Sequence, residues 1–338
     1  MARWITSKAA PRVGLIGFYG FGNYGDELFV DAFREHLGGH LDIRVLPDLT
    51  SSPYFTRPVR KVVRGVDAII IGGGDLVVPW KLSPLYWNKA YLDRPVYISG
   101  VGVAQLKTTE PSLANVRALQ EFFRHRNVRY VSARDETSAR WIEMHLAPRV
   151  PVVRAPDLVC SLTLPGAAPS EDVLGIVTRH RSGHADDYSV VQELANRAIA
   201  RGMQVRQIVL GVGITGVKDL KHAGALEVPG KQVVHSNRLD DLSRSIGGCR
   251  VLATMKFHGT VVASMYGVAP VSMMPTVKSV RYLNALGRPE LVSHFSKRSL
   301  VDALDPLPDR IDPATIQRLR TESRAALVDL RERILADR

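Results

Sequence analysis

One segment of the chain combines a lysine, a histidine and the predicted start of a helix. Its sequence is Val251-Leu-Ala-Thr-Met-Lys-Phe-His-Gly-Thr-Val-Val-Ala-Ser264. The apolar residues predict a strand that ends at Lys256 and His258, and Gly259-Thr260 then opens a helix. Backbone N–H groups at a helix start attract anions, and a neighbouring lysine adds positive charge. Because histidine exchanges protons near neutral pH, the segment predicts an anion site with His258 as a candidate proton donor.

Arg179 is a second candidate for the same site. It follows Val173–Thr178, the first apolar run of the second half of the chain. In open parallel sheets, ligands bind beyond the carboxyl ends of the strands, so Arg179 and Lys256 would share that edge. The competing interpretation is structural, because a single arginine after a strand is by default a surface charge.

A glycine-rich segment precedes the first predicted helix. It contains Gly-x-Gly-x-x-Gly at Gly20–Gly25, which is the spacing of the dinucleotide-binding fingerprint. Against that interpretation, Gly20 lies beyond the predicted strand end, and two carboxylates, Asp26 and Glu27, would repel a pyrophosphate at the helix start. Two other interpretations stay open. The carboxylates either cap the helix, or Asn23 and Asp26 act on a substrate.

Two further segments place polar groups or bare backbone near predicted strand ends. Gly72-Gly73-Gly74 follows Ile69–Ile71, and three glycines there would let a ligand approach backbone N–H groups or would simply form a tight turn. In Tyr130–Ser138, an apolar strand delivers Arg134 and Asp135 to its carboxyl end. These two residues either contact a ligand or form a structural ion pair.

The elements that must position these residues form two successive α/β halves. Short apolar runs alternate with helical patterns, which is typical of open parallel sheets with right-handed crossovers. The predicted strands are Val13–Phe18, Ile43–Leu46, Ala68–Ile71, Val96–Val101, Val128–Ser132, Val173–Thr178, Gln204–Leu210, Val233–His235, Val251–Thr254 and Ala269–Met273. The predicted helices include Glu27–Leu37, Pro111–His125, Val190–Arg201 and Pro313–Ile334.

The Pro- and Ala-rich stretch Leu162–Asp172 is the best candidate for a linker. It predicts one domain over residues 1–165, a second over 166–310, and a C-terminal helix over 311–338 that packs back on the first domain. Two such sheets in tandem would leave a cleft between them, and that cleft is the expected site.

Composition limits the partners and the compartment. The 338 residues include 45 Lys or Arg and 33 Asp or Glu, a net charge of +12 shared equally by the two halves. Positive charge spread along the chain favours an anionic partner. Nucleic acid is disfavoured, because the sequence has no basic stripe with interleaved aromatic residues and no nucleic-acid-recognition motif. The two distant cysteines, Cys160 and Cys249, form no disulfide framework and no zinc pattern. With no apolar leader at the start, we expect a cytoplasmic protein that contacts the inner face of the plasma membrane.

One uncharged stretch, Phe257–Val277, is long enough to span a bilayer. It contains His258, Pro270, Pro275 and several hydroxyl residues, which are costly inside a membrane. The stretch is therefore better interpreted as a helix, a turn and a buried strand.

Eight short motifs occur in a fixed order along the chain. They are Gly22–Glu27 (Gly-Asn-x-Gly-Asp-Glu), Gly72–Gly74, Ser132–Ser138 (Ser-x-Arg-Asp with a later serine), Pro156-Asp157-Leu158, Arg179 after its strand, Lys256–Gly259, Ala263–Pro270 (Ala-x-x-x-Gly-Val-x-Pro) and Lys278. Each is weak alone, but the ordered set, from about Val13 to about Leu286, resembles the polysaccharide pyruvyl transferase family. The chain departs from the family at one motif, where the family's Arg-Leu-His is replaced by Lys256-Phe257-His258. Lysine keeps the positive charge but lacks the guanidinium group with which arginine makes bidentate hydrogen bonds.

The resemblance implies two Rossmann-like domains arranged as in GT-B glycosyltransferases. It also implies phosphoenolpyruvate as donor and a sugar as acceptor, often lipid-linked, with transfer of the enolpyruvyl unit to two hydroxyls and release of phosphate. Phosphoenolpyruvate is a co-substrate, and the scheme requires no metal and no other cofactor. The implied donor-site residues are Arg179, Lys256, Phe257, His258, Gly259 and Lys278.

Roles on the acceptor side rest more on the residues than on the resemblance. His258 is the candidate acid, and Asp26, placed by the sequence on the first domain across the cleft, is the candidate base. The remaining candidates for the acceptor or its loop are Gly22, Asn23, Gly25, Gly73, Gly74, Arg134 and Asp135. The alternatives are a GT-B glycosyltransferase that uses a nucleotide sugar, a nicotinamide enzyme, and a carbohydrate- or phosphate-binding protein without turnover.

Overall fold

The computed structural model describes residues 9–51, 54–104, 109–180 and 187–337. The chain divides into two compact units. Unit 1 comprises residues 1–18, 30–155 and 324–338, and unit 2 comprises residues 19–29 and 156–323. Each unit is built on its own parallel sheet, so the α/β fold class predicted from the alternating apolar runs is confirmed.

Unit 1 contains a six-stranded parallel sheet in the order β2-β1-β3-β4-β5-β6. The central strands β3 and β4 are buried at all positions except Asp75, which is why their sequences are largely apolar and do not alternate. The strands are β1 Arg12–Ile16, β2 Asp42–Val45, β3 Ala68–Val77, β4 Val96–Val103, β5 Val128–Ala133 and β6 Val152–Arg154. The helices in the same part of the chain are α1 Tyr24–Leu37, α2 Val59–Arg64, α3 Leu113–Phe123 and α4 Glu136–Leu146.

Unit 2 contains a five-stranded parallel sheet in the order β11-β10-β7-β8-β9. Its strands are β7 Val173–Val177, β8 Gln204–Ile208, β9 Gln232–Val234, β10 Val251–Thr254 and β11 Ala269–Ser272. Its helices are α5 Ser189–Ala200, α6 Gly213–Ala223, α7 Leu239–Gly247, α8 Phe257–Met265, α9 Val277–Ala285 and α10 Ser299–Asp302, followed by α11 Pro313–Ala336. Helix α8 is buried on every side, whereas α6 is exposed along one face.

All ten predicted strands are present, nine of them within two residues of their predicted bounds. Two sequence interpretations need correction. The glycine triplet Gly72–Gly74 does not end its strand, because β3 continues through it to Val77. The sequence analysis also missed β6, whose two valines directly follow Pro151 and form a run too short to be recognised as a strand.

The boundaries of the units differ from the predicted domains in three places. The first unit ends at residue 155, so the Pro- and Ala-rich stretch lies inside unit 2. Residues 19–29, predicted in the first domain, belong to unit 2 because their backbone bonds to residues 211–215. The C-terminal helix is divided, and its last part lies in unit 1, where the Tyr97 hydroxyl donates to Asp337 Oδ2 at 2.6 Å.

The uncharged stretch Phe257–Val277 forms α8, a turn and β11, as the sequence predicted. In the part of the chain that the structure describes, no helix combines the length and apolar character that a membrane span needs. Both cysteines are buried free thiols.

Candidate active site in unit 2

The site begins where β10 passes into α8. Two hydrogen bonds of the Thr254 hydroxyl shape this connection: it donates to the Lys256 carbonyl at 3.0 Å and accepts from the Lys256 N–H at 3.1 Å. Gly259 packs directly against the same hydroxyl, and a methyl group there would also lie 3.1 Å from Leu210 Cδ1. Glycine is therefore required for α8 to start this close to the strand, and it places Lys256 and His258 at the helix start.

The ammonium group of Lys256 is almost buried. It forms an ion pair with Asp219 of α6 and donates to the Leu210 carbonyl at 2.5 Å. Burial lowers the pKa of Lys256 and Arg179 acts in the same direction, whereas Asp219 and Asp26 favour the charged ammonium. Arg179 and Asp26, which the sequence analysis singled out separately, are thus both among the charges that act on Lys256.

His258 is buried beside a carboxylate that the sequence did not assign to the site. Only 8% of the residue is exposed, and its Nε2 lies 3.6 Å from Asp157 Oδ2. Asp157 is 2% exposed, and its other oxygen accepts the Val159 N–H at 3.1 Å, which holds the carboxylate in place. The rings of Phe29 and His258 pack in a T-shaped arrangement, with their centroids 5.2 Å apart. The carboxylate of Asp157 therefore places a buried negative charge beside the imidazole.

The glycine-rich segment packs against this histidine. Gly25 touches the imidazole so closely that a methyl group at this position would lie 2.6 Å from His258 Cε1 and closer still to Nδ1. The segment is held from the other side by α6 and the residues before it. The Val212 N–H donates to the Gly22 carbonyl at 2.8 Å, and the Thr215 hydroxyl donates to the Phe21 carbonyl at 2.8 Å.

Glu27 occupies the amides that a phosphate would need. Its Oε1 accepts from the N–H of Gly20 at 2.8 Å and from the N–H of Gly22 at 2.9 Å. The carboxylate therefore closes the loop on itself, which argues against the dinucleotide interpretation. Asp26 instead accepts a hydrogen bond from the Asn23 side-chain amide, and it remains close enough to influence Lys256. Within this segment, Glu27 organises the loop, and Asp26 is the carboxylate near the other charges of the site.

Phe257 and Lys278 extend the site towards α9. The Lys278 ammonium lies 5.3 Å from the centroid of the Phe257 ring, within the range of a cation–π contact. Thr276 caps the start of α9 by accepting the Ser279 N–H, and this fixes the helical turn that carries Lys278. Arg179, just after β7, is exposed, and its backbone carbonyl accepts from the Tyr188 hydroxyl at 3.2 Å.

The predicted residues of unit 1 have structural partners within that unit. Gly73 and Gly74 adopt positive φ angles of 72° and 88° inside β3, a conformation that favours glycine. Arg134, with a side chain only 3% exposed, pairs with Asp75. Asp135 is the N-cap of α4 and accepts the Ser138 N–H at 2.8 Å. The predicted Arg134–Asp135 pair is long, at 4.0 Å, because Asp75 is the principal partner of the arginine.

Sequence reasoning missed Asp157 and Asp219 as members of the site. Asp157 lies in the Pro156-Asp157-Leu158 motif, so a signal existed, but nothing local indicates that it faces a histidine. Asp219 lies in a helix with no motif, and only the tertiary structure brings it to Lys256.

Comparisons with known proteins agree with this fold. A family model for polysaccharide pyruvyl transferases matches residues 23–275. No curated protein matches the sequence significantly. Among solved structures, the UDP-GlcNAc 2-epimerase from Methanocaldococcus jannaschii has a TM-score of 0.61 at 10% identity, over 94% of this chain and 99% of that chain. The UDP-N-acetylglucosamine 2-epimerase from Rickettsia bellii has a TM-score of 0.60 at 11% identity, over 97% of both chains.

A plant enzyme is also similar. The UGT2 of Phytolacca americana, solved with UDP-2-fluoro-glucose and pterostilbene, has a TM-score of 0.50 at 11% identity, over 95% of this chain and 94% of that chain. These neighbours have the GT-B fold, which confirms the predicted fold class. At such low identity the likeness concerns the fold alone.

Proposed function

The chain belongs to the polysaccharide pyruvyl transferase family, and from that premise we propose that it uses phosphoenolpyruvate as donor. The reaction transfers the enolpyruvyl unit to two hydroxyls of one sugar in a cell-surface polysaccharide or glycolipid precursor. The product is a cyclic ketal, and phosphate is released.

One observation carries this proposal: Lys256 and His258 stand two residues apart at the start of α8, and Arg179 is among the charges that act on Lys256. Phosphoenolpyruvate carries a phosphate and a carboxylate, so it needs several positive groups at short range. Asp219 holds the ammonium of Lys256 in place but offsets part of its charge. Arg179, Lys278 and the amides at the start of α8 would supply the remaining attraction.

The transfer balances without any other reactant. The CH2 carbon of the donor gains a proton and becomes a methyl group, which leaves positive charge on C2. One sugar hydroxyl attacks C2, the C2–O bond to phosphate breaks, and the second hydroxyl closes the ring. Of the two hydroxyl protons lost, one is accounted for on the methyl group and the other on the released phosphate. Holding both hydroxyls against C2 supplies much of the rate acceleration in such a scheme.

We assign the proton donor to His258 and the candidate base to Asp26. His258 is largely shielded from water, and the Asp157 carboxylate lies 3.6 Å from its Nε2. Asp157 contacts the histidine and not the reacting atoms, so it is a positioning residue. Asp26 is held by Asn23 in the loop that packs on His258. A carboxylate there can accept a proton from a sugar hydroxyl.

Calorimetry with phosphoenolpyruvate tests the donor directly. We expect binding that weakens as the salt concentration rises. Arg179→Gln should lower the affinity about 10- to 150-fold, the effect of losing a charge-assisted hydrogen bond of ~1.5–3 kcal/mol. The matched control is Arg238→Gln, an exposed arginine of the same unit, which should bind as the unaltered protein does.

Turnover is then measured as phosphate release in the presence of a panel of sugars. His258→Gln should abolish release and keep most of the donor affinity, whereas the exposed His40→Gln should change neither. The competing function is transfer from a nucleotide sugar, because several structural neighbours were solved with such ligands. Binding of UDP or a UDP-sugar without binding of phosphoenolpyruvate would overturn the proposal.

A further inference from the structure

Helix α6 exposes a continuous apolar face. Three large apolar side chains occur at intervals of three residues: Ile214 is 45% exposed, Val217 is 64% exposed and Leu220 is 38% exposed. At 100° per residue, this spacing places them within one arc of about 120° on the helix. A helix on the surface of a globular protein normally buries such residues against the core, whereas α6 exposes them to solvent.

The charges on this face are all positive. Lys221 lies within the apolar arc and Lys218 lies at its border, and both are exposed. Asp219 is the single acidic residue of α6, and the same helical spacing puts it about 160° from Val217. Its side chain is 11% exposed and pairs with Lys256. The exposed face therefore combines apolar groups and ammonium groups with no carboxylate from the helix itself.

The opposite side of α6 is anchored in unit 2. The Thr215 hydroxyl donates to the Phe21 carbonyl, and Asp219 holds Lys256. Gly216 packs against the backbone of Gly211 so closely that a methyl group there would lie 2.9 Å from its carbonyl carbon. A helix fixed in this way cannot rotate to bury its apolar residues, so Ile214, Val217 and Leu220 stay available to a partner.

We infer that this face of α6, which we call the α6 face (Ile214, Val217, Lys218, Leu220 and Lys221), docks on an anionic membrane surface. Its apolar side chains would enter the boundary between headgroups and acyl chains, while the lysines extend their ammonium groups to lipid phosphates. The net charge of +12 adds long-range attraction to the same surface. Charge complementarity favours this partner over a second copy of the chain, which would bring equal positive charges together. The inference rests on the structure of unit 2 and does not depend on the proposed reaction.

Vesicle co-sedimentation tests the inference. The full chain is mixed with phosphatidylcholine vesicles, with or without phosphatidylglycerol, at two salt concentrations. We expect binding to the anionic vesicles that weakens with salt. Lys218→Gln and Lys221→Gln should each lower the partition coefficient about fivefold, and Val217→Ser with Leu220→Ser should lower it about fourfold for each methylene group removed.

Matched variants elsewhere on the surface separate the α6 face from general charge and hydrophobicity. Lys81→Gln with Lys297→Gln removes the same charge from other exposed positions. Leu113→Ser with Met144→Ser removes apolar side chains that are 75% and 72% exposed. These controls should reduce binding far less than the α6 variants do. Thermal melts confirm that each variant is folded, and light scattering reports its oligomeric state.

Three results would overturn the inference. One is a lack of binding to anionic vesicles, and another is equal loss of binding in the α6 variants and in the controls. The third is a dimer in solution that only the α6 variants dissociate, because the face would then be covered by a second copy. Binding that depends on phosphatidylglycerol and on the α6 face, with a monomer in solution, supports it. Since sedimentation does not measure turnover, failure here leaves the donor assignment intact.

Discussion

The contact between Gly25 and His258 can be tested by adding a single methyl group. Gly25 is the second residue of α1, and a methyl group built on it would lie 2.6 Å from His258 Cε1. Carbon atoms in contact are normally about 3.5–4.0 Å apart, and Cγ and Nδ1 of the ring would lie closer still than Cε1, so the ring or the loop must retreat by more than ~1 Å. The ring has little room to retreat, because Asp157 and the rings of Phe29 and Phe257 surround it.

Two effects of Gly25→Ala on stability oppose each other. Alanine inside a helix is favoured over glycine by ~1 kcal/mol, whereas an overpacked interior costs ~1–3 kcal/mol. The free energy of unfolding should therefore fall by no more than ~2 kcal/mol, and the protein should stay folded. Turnover should suffer more, because a displacement of about 1 Å in an active site can cost on the order of 100-fold.

Three measurements check this prediction: thermal melts, phosphate release from phosphoenolpyruvate across the sugar panel, and the NMR signals of the His258 imidazole. The control is Gly224→Ala, because that glycine follows α6 with open space around it and a helical φ of −62°. The control should melt no lower than the unaltered protein and keep its turnover. If Gly25→Ala melts higher, keeps full turnover and leaves the imidazole signals unmoved, the loop does not pack on the histidine as described.

Three other predictions concern the charged and thiol groups of unit 2. Asp157→Asn keeps an oxygen that can cap Val159 but removes the negative charge beside His258, so phosphate release should slow while the affinity for phosphoenolpyruvate and the melting temperature change little. A lower melting temperature with unchanged turnover would indicate a purely structural aspartate. Lys256→Met should lower the free energy of unfolding by ~3–5 kcal/mol, measured in urea titrations, because it leaves the buried Asp219 carboxylate without its cation. The double variant Lys256→Met with Asp219→Leu should recover most of that loss. Burial raises the pKa of Cys249 to about 12, so the native thiol should resist alkylation at mildly alkaline pH. Because the thiol of the unfolded chain ionises first, the free energy of unfolding should decline as the pH rises above the ordinary thiol pKa of 9.0. Rapid labelling of the folded protein would contradict this prediction.

The predictions about individual strands succeeded where burial leaves a mark on the sequence. Runs such as Ile69–Ile71 and Val96–Ile98 are covered on both faces and are therefore apolar at every position, so the strands can be recognised without any partner. The prediction that the strand ends before the glycine triplet was wrong because glycine is common in turns. Inside β3, its positive φ angles are compatible with a strand that continues to Val77.

By itself, the sequence determined the fold class, the family and the elements that carry Lys256, His258, Arg179 and Asp26. The fold class and the elements follow from local apolar patterns and from the rule that parallel strands present their carboxyl ends at one edge, and the family follows from the ordered set of short motifs. Only the tertiary structure decided which groups face each other at that edge. It placed the glycine-rich loop in unit 2, packed against His258. It also brought the Asp157 carboxylate beside the imidazole of His258 and paired Asp219 with Lys256. Such contacts join residues far apart in the chain, and periodicity records only whether a side chain is buried, not which partner it meets.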